Sequence, residues 1–269
     1  MLHFIIAVLY LLLALREGLG QRAVGHGQTL PRGWLVTLGI PAVLVLHGLA
    51  LQRSLFLEEG QLDLSLGHML SLLGAVTVAS YWLLSLRHSL GVLRPMVLVL
   101  AFLLALAPLL FVGDKPVSYS GFPAFRIHLV VSLIAWSLFA LSALHAILMS
   151  IMERRLHEHH LGRVGQWPSL VSMDTMLFRM VWAAFLLLTA TLLSGMFFSE
   201  ELFGKPLVFN HKLVFSLIAW VIYAGLLLGH QIWGLRGRRA ARWALAGFLM
   251  LVAAYVGSKF VLEVLLHRG

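Results

Sequence analysis

Apolar residues run along this chain in unbroken stretches the length of a membrane-crossing helix, and polar residues collect between them. A spanning α-helix needs about 20 consecutive, mainly apolar residues. Eight stretches qualify, at 2–17, 34–52, 65–84, 94–112, 125–150, 175–197, 211–233 and 242–266. The runs are continuous and do not alternate, which excludes a transmembrane β-barrel. The first is short, but it lacks the basic start and small-residue cleavage site of a signal peptide and is expected to remain a helix. No polar segment is long enough for a second domain; the longest, 151–174, has ordinary loop composition. The expected fold is an all-α integral membrane protein, a bundle of eight transmembrane helices forming one domain over residues 1–269.

Composition agrees with that pattern. Hydrophobic residues are 60% of the chain and charged residues 12%, which no soluble domain of this size shows. Cysteine is absent, so disulfides, thiolate metal sites and thioether-linked haem are excluded. A net charge of +9 raises the question of nucleic acid, but the basic residues are distributed as membrane anchors. Loops one, three, five and seven carry twelve arginines, against six Lys and Arg in the other loops and the C-terminus. The positive-inside rule then puts both termini outside, in the periplasm or its equivalent. The strongest single anchor is GLRGRRAAR, 234–242. No nucleic-acid partner is expected; membrane lipid is.

Thirteen histidines are many for so little polar sequence. The segment SLIAW occurs twice, at 132–136 and 216–220, and each copy is bracketed by histidines: His128 and His145, then His211 and His230. An ionisable residue within a span is costly and usually has a partner or a task. At about 1.5 Å rise per residue, each bracketing pair is separated by roughly 25–28 Å, which defines an outer and an inner layer. Paired neutral imidazoles buried between apolar helix walls suit a b-type haem. At 100° per residue, however, the two histidines of either helix lie about 100° apart in azimuth. One straight face therefore cannot present both, unless supercoiling or a π-bulge corrects the angle or other helices supply ligands. His47, within VLVLHGLAL, and His267 are the substitutes for the outer layer. His47 is equally compatible with an interhelical hydrogen bond.

Other charged residues bear on the same question. Arg126, two residues before His128, is a candidate for a haem propionate, because guanidinium binds carboxylate with fixed geometry. Lys259 and Glu263 are four apart on the last predicted helix. They form an ion pair, or Lys259 holds a propionate. Trp136 and Trp220 are mid-helix and are read first as bundle packing. Nothing points to hydrolysis or group transfer: there is no Ser-His-Asp pattern or phosphate loop, and Asp174 and Glu201 fall at helix ends.

The segments HLVVSLIAW, FLLLTATLLSG (185–195), HKLVFSLIAW, GLRGRRAARWALAGF and YVGSKFVLEV (255–264) together resemble the cytochrome c assembly superfamily. Within it, the resemblance is to the small eight-helix HemX/YpjD type, related to CcsA. It covers nearly the whole chain and is most specific from about 120 to 265. It implies a multi-pass protein of a bacterial inner membrane that handles haem. By motif position, His128 and His267 resemble the outer-surface histidines and His230 a transmembrane one, with His211 an additional or alternative outer ligand. His145 or His47 would then pair with His230. The haem-delivering branches carry a Trp-rich outer loop, whereas the corresponding loops here, GDKPVSYSGFPA (113–124) and SEELFGKPLVFN (199–210), contain no Trp.

The expected function is therefore haem binding with bis-His b-type haem, one or two per chain, in haem handling or cytochrome c biogenesis. Other membrane proteins of haem or cytochrome metabolism are the expected partners. The alternative is a two-haem, cytochrome b-like electron carrier linked to quinol.

Overall fold

The computed structural model describes residues 1–23, 34–55, 62–88, 90–111, 116–117, 123–157, 168–203 and 211–257. The helices are α1 (Leu2–Ala23), α2 (Trp34–Leu55), α3 (Leu66–Arg87), α4 (Arg94–Ala105), α5 (Ala107–Leu110), α6 (Pro123–His157), α7 (Leu170–Phe203), α8 (His211–Trp233) and α9 (Gly237–Val252). A 3₁₀ turn at Gly91–Leu93 precedes α4, and a π-helical turn at Ala253–Gly257 follows α9. Two-residue extended segments occur at Leu62–Asp63 and Pro116–Val117.

Seven helices among the described residues are long and apolar enough to cross a membrane: Leu2–Gly20, Leu38–Leu55, Leu66–Arg87, Gly91–Leu110, Pro123–Arg155, Leu170–Met196 and His211–Trp233. The chain is thus a helical integral membrane protein. The eighth predicted span, 242–266, begins within α9, and its residues beyond 257 lie outside the described residues. The fourth span is broken at Leu106, two residues before Pro108, which has no N–H for the helical ladder. Helices α6 and α7 overrun their predicted spans. At 35 residues, α6 is about 52 Å long, against a hydrocarbon core of about 30 Å. Its last turns read SIMERRLH, whose Met, Glu, Arg and Leu favour helix beyond the bilayer.

The chain divides into two compact units, residues 1–116 with 154–168, and 117–153 with 169–269. In the first, α1 packs on α2 and α4, and α3 packs on the same two helices. Ile6, Tyr10, Ile40, Val78, Tyr81, Val97 and Leu98 form its buried interior, while Leu12, Leu15, Leu38 and Leu103 face outward, where lipid would meet them. Arg94 Nη1 donates to Glu17 Oε2 at 2.8 Å, and its Nε donates to the Tyr81 hydroxyl at 3.2 Å. That hydroxyl donates to the Leu90 carbonyl. An arginine counted as a loop anchor is thereby tied to α1. At the entry to α3, Asp63 accepts the Ser65 N–H at 2.9 Å and pairs with His68 Nδ1 at 2.7 Å.

In the second unit, α6 meets three helices. Phe139 stacks on Tyr223 of α8 at 4.1 Å, and Trp136 meets Phe248 of α9 edge-on. Hydrogen bonds to α7 are described below. Tyr223 is fully buried, and its hydroxyl donates to the Ala244 carbonyl at 3.1 Å. Gly247 makes room for that ring: a Cβ there would lie 2.7 Å from Tyr223 Cε2. Small residues at such crossings let helices approach closely, the usual basis of packing in lipid. Trp220 stacks on Phe185 and donates Nε1–H to Thr189 Oγ1 at 2.9 Å. Both tryptophans of the repeated SLIAW segment therefore serve interhelical packing.

Gly67 tests the close packing of the first unit. A Cβ at this position would lie 2.6 Å from the Phe111 carbonyl oxygen and 2.9 Å from Pro108 Cα, whereas one at Gly18 meets nothing within 4 Å. Gly67→Ala is expected to destabilise the protein by about 1–3 kcal/mol, the usual cost of overpacking. Size-exclusion chromatography after stepwise heating should show a lower midpoint for Gly67→Ala and an unchanged one for Gly18→Ala.

Candidate functional site

A polar cluster lies where α8 ends. Helix α8 stops at Trp233 and α9 starts at Gly237, so three residues must reverse the chain. Gly234 and Gly237 both take φ of 62°, in the left-handed region that glycine enters at no steric cost. The reversal aims the Leu235 carbonyl back at α8, where it accepts a hydrogen bond from His230 Nδ1 at 3.0 Å. The Leu235 N–H donates to the Gly229 carbonyl at 3.1 Å. With the proton on Nδ1, the lone pair of the imidazole is on Nε2. This is the arrangement in which histidine ligates metal, its other nitrogen held by a backbone carbonyl. Phe178 of α7 stacks on the His230 ring, with centroids 3.6 Å apart and planes within 19°.

His230 lines a cavity of about 710 Å³. The α7 wall is Leu170, Val171, Asp174, Thr175, Phe178, Arg179 and Trp182; α6 adds Met149 and Glu153, and the turn adds Arg236 and Gly237. From Val171 to Trp182 the α7 positions recur at three- and four-residue spacing, one face of a helix. Asp174 is buried, and its Oδ1 accepts the Gly237 N–H at 3.0 Å, which ties the start of α9 to α7. The volume, the ring stack and the imidazole with one fixed nitrogen fit a flat, largely apolar iron chelate. An axial site on a macrocycle needs single histidines, not a three-residue metal cluster, and none of the latter occurs among the described residues.

The other predicted histidines fall elsewhere. His145 is buried, its Nε2 donates to the Met173 carbonyl at 2.9 Å, and its Nδ1 is enclosed without a partner among the described residues. It reaches α7 about one and a half turns from Phe178, but does not line the cavity. His128 Nδ1 lies 2.8 Å from Ser194 Oγ, and that hydroxyl donates to the Thr191 carbonyl. Gly195 lets the ring come close: a Cβ there would be 3.4 Å from His128 Cε1. The segment ending in SG at 194–195 is thus a seat for His128. The offset of about 100° between His128 and His145 does not prevent both from reaching α7. On a supercoiled seam with a 3.5-residue repeat it shrinks to about 50°.

His211 and Arg126 are exposed near the starts of α8 and α6. His267 and Lys259 lie outside the described residues, as does Glu263. His47 is in the first unit, fully buried, with Nδ1 3.3 Å from the Tyr10 hydroxyl and Nε2 2.9 Å from Ser71 Oγ. Both of its ring nitrogens are occupied, so ligation by His47 would first require one of these bonds to break. Its ring also sits 6.3 Å from that of His3.

Sequence reasoning missed Arg179 and Phe178 as site residues and treated Arg236 only as an anchor. A signal was present: Arg179 interrupts the apolar run MLFRMVW, and it repeats at four-residue spacing from Thr175.

Comparison with known proteins comes from two directions. The family model described as Cytochrome C assembly protein matches residues 42–266. The Inner membrane protein YpjD of Escherichia coli K12 is 30% identical over 238 residues, covering 87% of this chain and 89% of that protein. An uncharacterized 28.8 kDa protein of Azospirillum brasilense is 33% identical over 202 residues, covering 71% of this chain and 74% of that protein. A Cytochrome c biogenesis protein CcsA of Prochlorococcus marinus is 35% identical over 85 residues, 32% of this chain and 27% of that protein.

The tie between Asp174 and the turn is open to direct measurement. Asp174→Ala should leave the Gly237 N–H without its acceptor, at a cost of about 1–3 kcal/mol. Amide hydrogen exchange at the start of α9 should accelerate in Asp174→Ala. In Asp174→Asn, which keeps an oxygen acceptor, it should stay near wild type.

Proposed function

Since the chain belongs to the cytochrome c assembly protein family and is a multi-pass inner-membrane protein, we propose that it binds b-type haem and acts in haem handling for cytochrome c biogenesis. The observation that carries this reading is His230. Its Nδ1 is committed to the Leu235 carbonyl, its ring is stacked on Phe178, and it lines a cavity of about 710 Å³. His230 would hold the iron through Nε2. Met149, Phe178 and Trp182 supply apolar contact with the macrocycle. The bound iron supplies the redox and ligand-binding chemistry. The chain's own residues hold the ring, fix the imidazole tautomer and keep bulk water from one face.

His145, whose buried Nδ1 lacks a partner among the described residues, would supply a second imidazole. Reaching the iron requires a shift of α6 relative to α7 or a rotation of the ring. An outer site would use His128, seated on Ser194 and Gly195, with His211 or His267 opposite it, and Arg126 or Lys259 toward a propionate. In this proposal the chain crosses the membrane eight times, with the eighth crossing continuing from α9, and both termini face outside. The loops at 113–124 and 199–210 contain no Trp, so carriage or sensing of haem is favoured over delivery to an apocytochrome.

A second reading draws on the distance between the two histidine levels. Ser194 and Met173, which meet His128 and His145, are separated by about 31 Å of α7. Haem at both levels would make the chain a two-haem electron carrier linked to quinol.

The detergent-purified protein should give a reduced-minus-oxidised spectrum of low-spin b-type haem. A pyridine haemochrome assay should find one haem per chain for the inner site alone, or two if both levels are filled. His230→Ala should convert the inner haem to a high-spin form and weaken retention by about tenfold or more, the scale seen when metal-site residues are changed. A protein that is colourless and stays so after haem is added would refute the haem reading. Rapid reduction of the bound haem by a quinol would move preference to the electron carrier.

A further inference from the structure

The cavity holds two arginines that the haem-ligand reading does not use. Arg179 lies on α7, nine residues after Leu170, toward the N-terminal end of the helix, which overruns its predicted span, and it is exposed. Arg236 is the last residue of the α8–α9 turn. Both line the cavity with His230, and neither has a hydrogen-bond or ion-pair partner among the described residues. Two carboxylates, Asp174 and Glu153, share the lining and offset the charge of the guanidinium groups without pairing with either among the described residues. Asp174 is committed to the Gly237 N–H, and no ion pair joins Glu153 to either guanidinium among the described residues.

Arg94, also in a spanning helix, is ion-paired to Glu17 at 2.8 Å and bonded to Tyr81. Arg179 has no such partner among the described residues, and it is exposed, as is Arg236, so both guanidinium groups sit at the open rim of the cavity, where the acid groups of a ligand can meet them. Arg179 shares a helix face with Phe178, which stacks on His230, and with Trp182. A ligand in this cavity therefore meets an imidazole and aromatic surface together with two guanidinium groups. Guanidinium pairs with carboxylate through two parallel hydrogen bonds, which gives it geometric preference as well as charge.

We propose that Arg179 and Arg236 form a carboxylate-recognition subsite that holds the two propionates of a tetrapyrrole. The cavity then selects its ligand by the acid edge as well as by iron. This inference rests on the haem reading of the cavity but makes a demand of its own: iron-free protoporphyrin IX should bind here through its carboxylates. The esterified ring should not bind well, although its apolar surface is larger. Arg179 and Arg236 would hold the carboxylates, and Met149, Phe178 and Trp182 would face the apolar part of the ring.

The same two arginines would also suit the phosphate of an anionic lipid, so the test must separate the two sources. The purified full chain is titrated with protoporphyrin IX, protoporphyrin IX dimethyl ester, haem and haem dimethyl ester, with affinity read by ligand fluorescence or the haem absorption band. Wild type should prefer each diacid over its diester by about tenfold or more, the size expected when charge-assisted hydrogen bonds are lost. R179Q/R236Q should lose that preference while still giving a low-spin spectrum with haem diester. R179K and R236K, which keep charge without the bidentate fork, should fall between. The wild-type comparison needs no mutation, so it stands even if a variant folds poorly.

Equal binding of diacid and diester by wild type, with a low-spin haem spectrum intact, overturns the subsite and leaves the haem reading standing. Failure of wild type to bind any of the four ligands overturns both. Native mass spectrometry distinguishes the lipid source. If R179Q/R236Q loses retained phosphatidylglycerol or cardiolipin while its diacid preference is unchanged, the arginines serve lipid and the proposal is wrong.

Discussion

The hydrocarbon core of a membrane offers no water to a polar group, and this one constraint organises the protein. Every donor or acceptor in a span must be satisfied by the chain itself or by something the chain binds. Most are satisfied locally. Ser137, Ser142, Thr189 and Thr191 return their hydroxyls to carbonyls three or four residues earlier. Others are satisfied between helices, as in the bonds of His47 to Tyr10 and Ser71 or the ion pair of Arg94 with Glu17. Against that background, one group of the second unit stands out, the buried Nδ1 of His145, which has no partner among the described residues. In the same unit His230, Arg179 and Arg236 line one cavity, the two arginines exposed.

The turn between α8 and α9 shapes that cavity. Two glycines at positive φ allow a three-residue reversal, and the reversal delivers three things at once. The Leu235 carbonyl fixes the tautomer of His230, the Gly237 N–H meets Asp174, and Arg236 reaches the rim of the cavity. A single backbone conformation thus couples the orientation of His230, the docking of α9 on α7 and the charge of the cavity rim. An imidazole held in this way would lose little freedom on binding a ligand.

Much of this was legible in the sequence because the dominant physics is one-dimensional. Runs such as VLVLAFLLALAPLLF and HKLVFSLIAWVIYAGLLLGH announce membrane helices by length alone. The positions of His128 and His230 at opposite ends of their segments were equally plain, as was the family to which they point. What the sequence hid was pairing. Nothing in HLVVSLIAW says that His128 rests on Ser194 and Gly195, because partners in a helical bundle lie far apart along the chain. Arg179 was missed because one charge in a long apolar run reads as tolerable noise. Only its place on the Phe178 face gives it meaning. His47 was ambiguous for the opposite reason. It suited a ligand role and an interhelical hydrogen bond equally, and the structure shows hydrogen bonds to Tyr10 and Ser71 at its two nitrogens.

The central claim is that the Nε2 of His230 is an iron ligand inside this cavity, and chemical rescue tests it most directly. His230→Gly removes the imidazole, with its stack on Phe178 and its bond to the Leu235 carbonyl, and leaves a space that free imidazole can fill. The account predicts that this variant, loaded with haem, is high-spin, and that added imidazole restores the low-spin spectrum in a saturable, concentration-dependent way. A His230→Gly spectrum identical to wild type before imidazole is added would contradict it, because the iron would then be held by other residues.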